Sequence, residues 1–354
     1  MGAILLNIVV TFAFQSPQSD TSLDTSATPG IAFERLSDLL QYNRVQGLSL
    51  GLGTRLPVPG VPSVVVYTTV RYGLSDERVT GRLTAIRSGA ESRLSLSAYQ
   101  DIADLDPFSH GRTLGNSLNG LLVGHDNGDY ALERGAAARL ERTIPGGMEV
   151  VLTGQVERVR SIMRVARSEV NDFLGGTGLF PQNPPVLEGT FAEASAQVRR
   201  SGRTRWTITA DALAGSGQTT ARLYGDVRRG FGTGLGLTAR IKAGAATRPT
   251  APQSLFRLGG LNTVRGFEYG TTRAPVFWAT QLDLTLFRGR VRPVLFVDAG
   301  QAATLSNLLS SAALVGGGIG LSLFSGLIRF DLSRPLSPDR GDKLRLDLVI
   351  QGAR

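Results

Sequence analysis

The sequence predicts an all-β protein, a sixteen-stranded antiparallel transmembrane β-barrel with one arginine-bearing loop folded inward. Three observations carry that expectation. Apolar residues mostly come singly, alternating with Arg, Asp, Thr, Ser and Gln, which is the period of a sheet with one apolar face. Strand-like segments recur every 15 to 30 residues from Arg44 onward, roughly the hairpin spacing of a barrel. In the last segments the charges share one face: Lys343, Arg345 and Asp347 alternate with Leu344, Leu346, Leu348 and Ile350, and Arg329, Asp331 and Ser333 alternate with Ile328, Phe330 and Leu332. Burying that face in a soluble sandwich would cost several kcal/mol per unpaired charge. Exposing it would leave the apolar faces of some sixteen strands uncovered, because the sequence has no long helices to cover them. Lipid outside and a wet lumen inside satisfy both faces.

Composition agrees and excludes other classes. The 354 residues are 42% hydrophobic, with mean hydropathy near zero. No uninterrupted apolar run approaches the 18 or so residues of a spanning helix. Barrel strands escape that scan because they alternate apolar and polar residues. Cys is absent, so a disulfide framework and thiolate metal sites are excluded. The net charge of +9 is carried almost wholly by arginine, the lysines being Lys242 and Lys343. These arginines are spread along strands and do not form a basic tail or helix. That argues against nucleic acid as a partner and for a basic lumen or contact with anionic lipid headgroups.

Taken in order, residues 1–14 read as a first strand rich in Ile, Val and Phe. A secretory leader is the alternative, and a poor one: no Lys or Arg precedes the apolar stretch, Asn7 interrupts it, and no small-x-small site follows cleanly. Residues 15–43 are expected to be a loop. Strands are then expected near 44–56, 62–73, 77–88, 91–101, 131–143, 147–159, 187–200, 202–214, 217–229 and 233–246. A re-entrant loop at 247–273 precedes strands near 274–287, 290–301, 312–323, 326–335 and 343–352. With residues 3–14 these make the even number that single-chain bacterial barrels use. Long connections 15–43, 102–130, 160–186 and 247–273 then fall on one rim, and short ones such as Ser201-Gly202 and Arg288-Gly289 on the other. A leader at 1–14 would instead demand another strand inside 28–43, which looks less like one. Residues 1–354 read as a single barrel domain.

The chain is organised around Phe256 to Gly300. This stretch carries Arg265, in Val264-Arg265-Gly266-Phe267, and then one carboxylate on each of two successive strands, Asp283 and Asp298. If both acids face the lumen, a folded-in loop brings the guanidinium to them, and its planar fork of donors suits carboxylates in a poorly solvated cavity. Phe267 and Phe296 are expected beside that pair, or in the core of the loop. Glycines 316, 317, 318 and 320 leave little side-chain bulk on their strand, which suits a bent or thinned wall or room for the loop.

Val264-Arg265-Gly266-Phe267, then Phe296-Val297-Asp298-Ala299-Gly300, then Gly316 to Leu323 and Gly326 to Leu332 resemble, in that order, the barrel of the bacterial surface antigen superfamily. Its members include the BamA-type insertases and the two-partner-secretion transporters. The resemblance spans roughly Phe256 to Leu336. It implies that the loop arginine contacts the acid of the Phe-x-Asp strand and often a second acid one strand earlier, roles that fall to Arg265, Asp298 and Asp283. It also implies a bacterial outer-membrane barrel that assists insertion or translocation of proteins or lipids, with a seam between first and last strands that can open. Outer-membrane lipids, unfolded outer-membrane proteins or a separate soluble periplasmic partner would be its partners. The alternative is a passive, porin-like pore or structural barrel whose loop plugs the lumen. The sequence departs from the family in lacking a terminal aromatic residue and, with 3–14 as a strand, in leaving no room for periplasmic polypeptide-transport domains. Gly352 should weaken pairing of the last strand.

Signals for catalysis are weak. His110 and His125 both fall in the 102–130 connection, and two histidines so spaced make a poor metal site without neighbouring ligands. Gly115-Asn116-Ser117-Leu118-Asn119 misses the Gly-x-Ser-x-Gly pattern at its last position. No enzyme activity, catalytic residue, cofactor or metal is assigned, and Ser117 to Val123 reads as a short helix or cap over the barrel mouth.

Overall fold

A computed structural model describes residues 28–33, 36–109, 111–232, 235–247, 251–287, 289–337 and 343–350. The alternating segments form the strands their period demands. After the two-residue β1 (Gly30–Ile31) and a helical turn, α1 (Leu36–Leu39), come β2 (Leu40–Asn43), β3 (Gly47–Pro57), β4 (Val64–Gly73), β5 (Val79–Ser88) and β6 (Ser92–Asp104). A short helix α2 (Leu114–Leu118) runs into a π-helical turn at Asn119–Val123 before β7 (Tyr130–Ile144) and β8 (Met148–Ser161). Beyond α3 (Glu169–Phe173) lie β9 (Gly189–Arg200), β10 (Thr204–Gly215), β11 (Gln218–Phe231) and β12 (Gly236–Ala246). The next connection contains a small antiparallel pair, β13 (Phe256–Leu258) with β14 (Thr272–Ala274). The chain then returns to the sheet with β15 (Val276–Thr285), β16 (Val291–Ala303), β17 (Leu314–Leu323), β18 (Ile328–Pro335) and β19 (Arg345–Ile350).

Every wall strand is antiparallel to the next, from β2 through β12 and from β15 through β19, with β12 pairing directly to β15 across the inserted connection. The long connections 105–129, 162–188 and 247–275 all leave the same rim, as the parity of the strands requires, while turns such as 201–203 lie on the other. The last element of the alternation, Gly352, and the first-strand expectation at 1–14 lie outside the described residues. The expectation of a loop across 15–43 needs correction where it is described. One edge of β3 takes both β1, at Arg55 and Thr54, and β2, from Leu50 to Gly47. The described residues between β1 and β2 carry α1 and lie where β3 has only positions 51–53 left between its two partners. They fit because those facing positions include Gly51 and Gly53: a Cβ on Gly51 would lie 1.9 Å from the Asp38 carbonyl oxygen, and one on Gly53 2.1 Å from that of Ala32. An interrupted strand loses its two-residue period, which is why the sequence pattern did not reveal it.

The sheet is inverted relative to a soluble protein. Leu52, Leu223 and Ile319 stand 57%, 59% and 57% exposed, whereas Asp298, Asp331 and Asp347 are each 1% exposed. Phe330, Leu332, Leu344 and Leu346 are exposed, and Arg329, Ser333 and Arg345 buried, so the two faces divide as the alternation predicts. What covers the charged face is the chain itself. Residues 251–275 pack against it with an apolar cluster of Phe108, Phe256, Leu258, Val264, Phe267, Phe277 and Leu314. No described helix is long and apolar enough to cross a membrane.

Candidate functional site

Arg265 sits on the connection between β12 and β15, with Gly266 beside it at φ +91°, a left-handed conformation that glycine adopts without strain. A Cβ on Gly266 would also lie 2.5 Å from the Arg334 carbonyl carbon, so the backbone comes as close to β18 as it can. The guanidinium meets three acids on three strands. Its Nε donates to Asp298 Oδ2 at 2.7 Å and its Nη2 to Asp298 Oδ1 at 2.6 Å, a bidentate fork. The backbone N–H of Arg265 adds a third bond to Asp298 Oδ2 at 3.0 Å. Nη2 also donates to Asp283 Oδ1 at 2.8 Å, and Nη1 to Asp331 Oδ2 at 3.2 Å.

Register explains why these groups converge. Phe296 lies opposite Asp283 on one side and Gly318 on the other, while Asp298 faces Gly316 and Asp331 faces Gly320. Each glycine leaves a notch that something fills. A Cβ on Gly316 would lie 1.9 Å from the Arg265 carbonyl oxygen, one on Gly318 2.7 Å from the Phe296 ring, and one on Gly320 2.4 Å from Asp331 Oδ1. The thin stretch of β17 therefore makes room for the loop. The Phe296 ring lies under the guanidinium, 3.8 Å from its carbon to the ring centroid, a cation–π contact in a desolvated place. Phe267 goes elsewhere, into the apolar cluster of the loop.

Two members of the network could not be assigned from the sequence. Asp331 accepts from both Arg265 and, at 2.6 Å, Arg329 Nε. Arg329 Nη1 donates to Asp283 Oδ2 at 3.0 Å. Alternation places both on the inner face, but their meeting with Arg265 depends on register and on the path of the loop. With two guanidinium groups against three carboxylates, the charges nearly cancel. Burial opposes the charged form of Arg265, but Asp298 first, then Asp283 and Asp331, outweigh it and raise its pKa above the ordinary arginine value.

A second polar centre ties this loop to the 105–129 connection. Asp129 accepts from Arg257 Nε at 3.0 Å and Arg273 Nη2 at 3.1 Å, and Tyr269 donates to Asp106 Oδ2 at 3.0 Å. From the wall, Lys242 Nζ donates to the Asn262 carbonyl at 2.8 Å and Gln281 Nε2 to that of Leu261 at 3.0 Å. His125 pairs with Asp347 at 3.3 Å, and His110 is not among the described residues.

The 114–123 segment, which contains the Ser117 to Val123 stretch expected as a cap, touches both ends of the strand run. Asn119 Nδ2 donates to the Leu348 carbonyl at 2.7 Å, and the Leu348 N–H donates to Asn119 Oδ1 at 2.6 Å. One carboxamide thus makes the two bonds that a neighbouring peptide would make to β19. At the other end the Tyr42 N–H of β2 donates to Ser117 Oγ at 3.0 Å.

No sequence-family model and no curated protein matches the chain in sequence. Solved structures do match in shape. BamA from Haemophilus ducreyi, in a form lacking POTRA domains 1–3, aligns over 88% of this chain and 69% of its own, with TM-score 0.61 and 12% identity. The fold is BamA-like. CdiB from Acinetobacter baumannii shares it, with TM-score 0.50 and 15% identity over 87% of this chain, which spans 57% of the CdiB chain. In this BamA-like fold the arginine loop, the acids of β15, β16 and β18 and the glycine notches of β17 form one site, and the 114–123 segment forms another where the strand run begins and ends.

Proposed function

We propose that the chain closes as a transmembrane barrel in the bacterial outer membrane and assists the insertion or translocation of proteins or lipids. The observation that carries this reading is the inverted wall wrapped round a pinned segment: leucines outside, paired charges inside, and Arg265 held by three strands. Such a wall is stable only with lipid on its outer face, since backbone closure and an apolar exterior are what a bilayer demands. Arg265 acts as a latch that keeps residues 251–275 in the lumen. Asp298 is its principal partner and Asp283 and Asp331 are auxiliary.

Assistance to a client needs a place where the wall can part. The contacts of Asn119 with Leu348 and of Ser117 with Tyr42 support the junction of β19 and β2 as that place, because side chains there do work that strand pairing does elsewhere. A passive barrel with a plugged lumen shares the latch and is favoured by how fully the loop packs the interior. The two readings separate in proteoliposomes. With the protein present, folding of an unfolded client barrel should run faster than in empty liposomes of the same lipid. Equal rates would reject assistance and leave the plugged barrel.

A further inference from the structure

Outward-facing arginines on the 105–129 side of the wall lack protein partners. Arg134 on β7 and Arg158 and Arg160 on β8 are all exposed and share the face of Leu140, Leu152 and Val156, while Glu157 points inward to accept from the Tyr99 hydroxyl at 2.8 Å. Arg134 stands directly opposite Arg158 in the antiparallel register, and Arg160 lies two residues along the same face. Their other paired cross-strand neighbours are Gln100, Thr190 and Leu132, and the one acid alongside, the exposed Glu188 next to Arg160 just before β9, accepts instead from the Ser161 N–H at 3.0 Å. Among the described residues no carboxylate pairs with any of the three. Like charges directly opposite one another destabilise a strand pair, so the arrangement calls for an anion from outside the chain.

The height of the cluster says which kind. Below Arg134 on the same face of β7 come Ala136, Ala138 and Leu140, and then Arg142, also exposed, near the short-turn rim. Eight residues of strand span about 26 Å, or about 20 Å along the barrel axis at a tilt of about 40°. Long arginine stems reach further outward from both ends. That brackets an apolar band about 25 Å tall and puts the three guanidinium groups at headgroup level, on the side of the long connections.

Resting on the membrane reading above, we infer that Arg134, Arg158 and Arg160 form a surface site for the phosphate of an anionic lipid in the leaflet on the long-connection side. The planar forks of arginine suit phosphate oxygens in pairs, and Gln100 and Thr190 flank them with polar groups. The apolar wall below receives the acyl chains.

The test uses the full chain in detergent, titrated with a lipid phosphomonoester and read by native mass spectrometry. Phosphatidylcholine and inorganic phosphate serve as separate arms. The phosphomonoester should bind, and each of Arg134→Gln, Arg158→Gln and Arg160→Gln should weaken it about fivefold, from about 1 kcal/mol per basic side chain at an anionic surface. Arg142→Gln, at the opposite rim, should leave it unchanged. Equal binding by parent and triple variant, or equal binding of phosphatidylcholine, overturns the site. Inorganic phosphate binding as tightly as the lipid overturns the lipid as occupant. Flotation of the parent with liposomes is scored alongside: a parent that does not float rejects the membrane reading, whereas one that floats but shows no loss in the variants rejects this site alone.

Discussion

At the scale of single residues, the Arg265 network makes unequal demands on its members. Asp298 accepts three bonds from Arg265 and Asp283 accepts one, so the two acids are not interchangeable. Arg265→Ala would leave two buried carboxylates and the partly exposed Asp283 with one guanidinium between them, a loss of about 3–5 kcal/mol for a broken buried pair. Thermal denaturation in detergent should show it as a lower midpoint. Asp298→Ala should follow Arg265→Ala closely and Asp283→Ala should fall short of it. A parental midpoint for Arg265→Ala would reject the latch. Asp298 and Asp283 could be picked out from sequence as lone carboxylates on successive alternating strands, and Arg265 through the motif Val264-Arg265-Gly266-Phe267 that carries the family resemblance. Asp129 and Arg257 could not, since they are far apart in sequence and meet only through the path of two loops.

At the scale of elements, the notches of β17 make a sharper prediction than the charges do. Gly316→Val places a branched side chain where the Arg265 carbonyl lies, with the ion pairs chemically intact. The loop must then rise, and limited proteolysis at residues 251–275 should become faster than in the parent; unchanged cleavage would mean the loop does not rest on this strand. The fifteen strands from β3 onward, leaving aside the small β13–β14 pair, lie within a few residues of where alternation places them, because both faces of those strands are under constraint. The strand that escaped was β2. It has four residues, follows a helical turn, and touches the side chain of Ser117. Neither insertion nor side-chain pairing writes a period into the sequence.

At the scale of the whole molecule, the inverted faces are informative because no local rule requires them. If the sheet closes as proposed, the protein should resist sodium dodecyl sulfate until heated, and the unheated protein should migrate faster than the heated one. Identical mobility before and after heating would reject closure. The junction where the strand run begins and ends carries a chemical liability. Asn119 precedes Gly120, the pairing most prone to slow loss of ammonia through a cyclic imide, and hydrolysis of that imide leaves aspartate or isoaspartate. A carboxylate can still accept from the Leu348 N–H, but it has nothing to give the Leu348 carbonyl and would set two oxygens against each other. The fastening at the junction would therefore weaken with the age of the protein, and old preparations would differ from fresh ones there as well as at the second such pair, Asn127-Gly128.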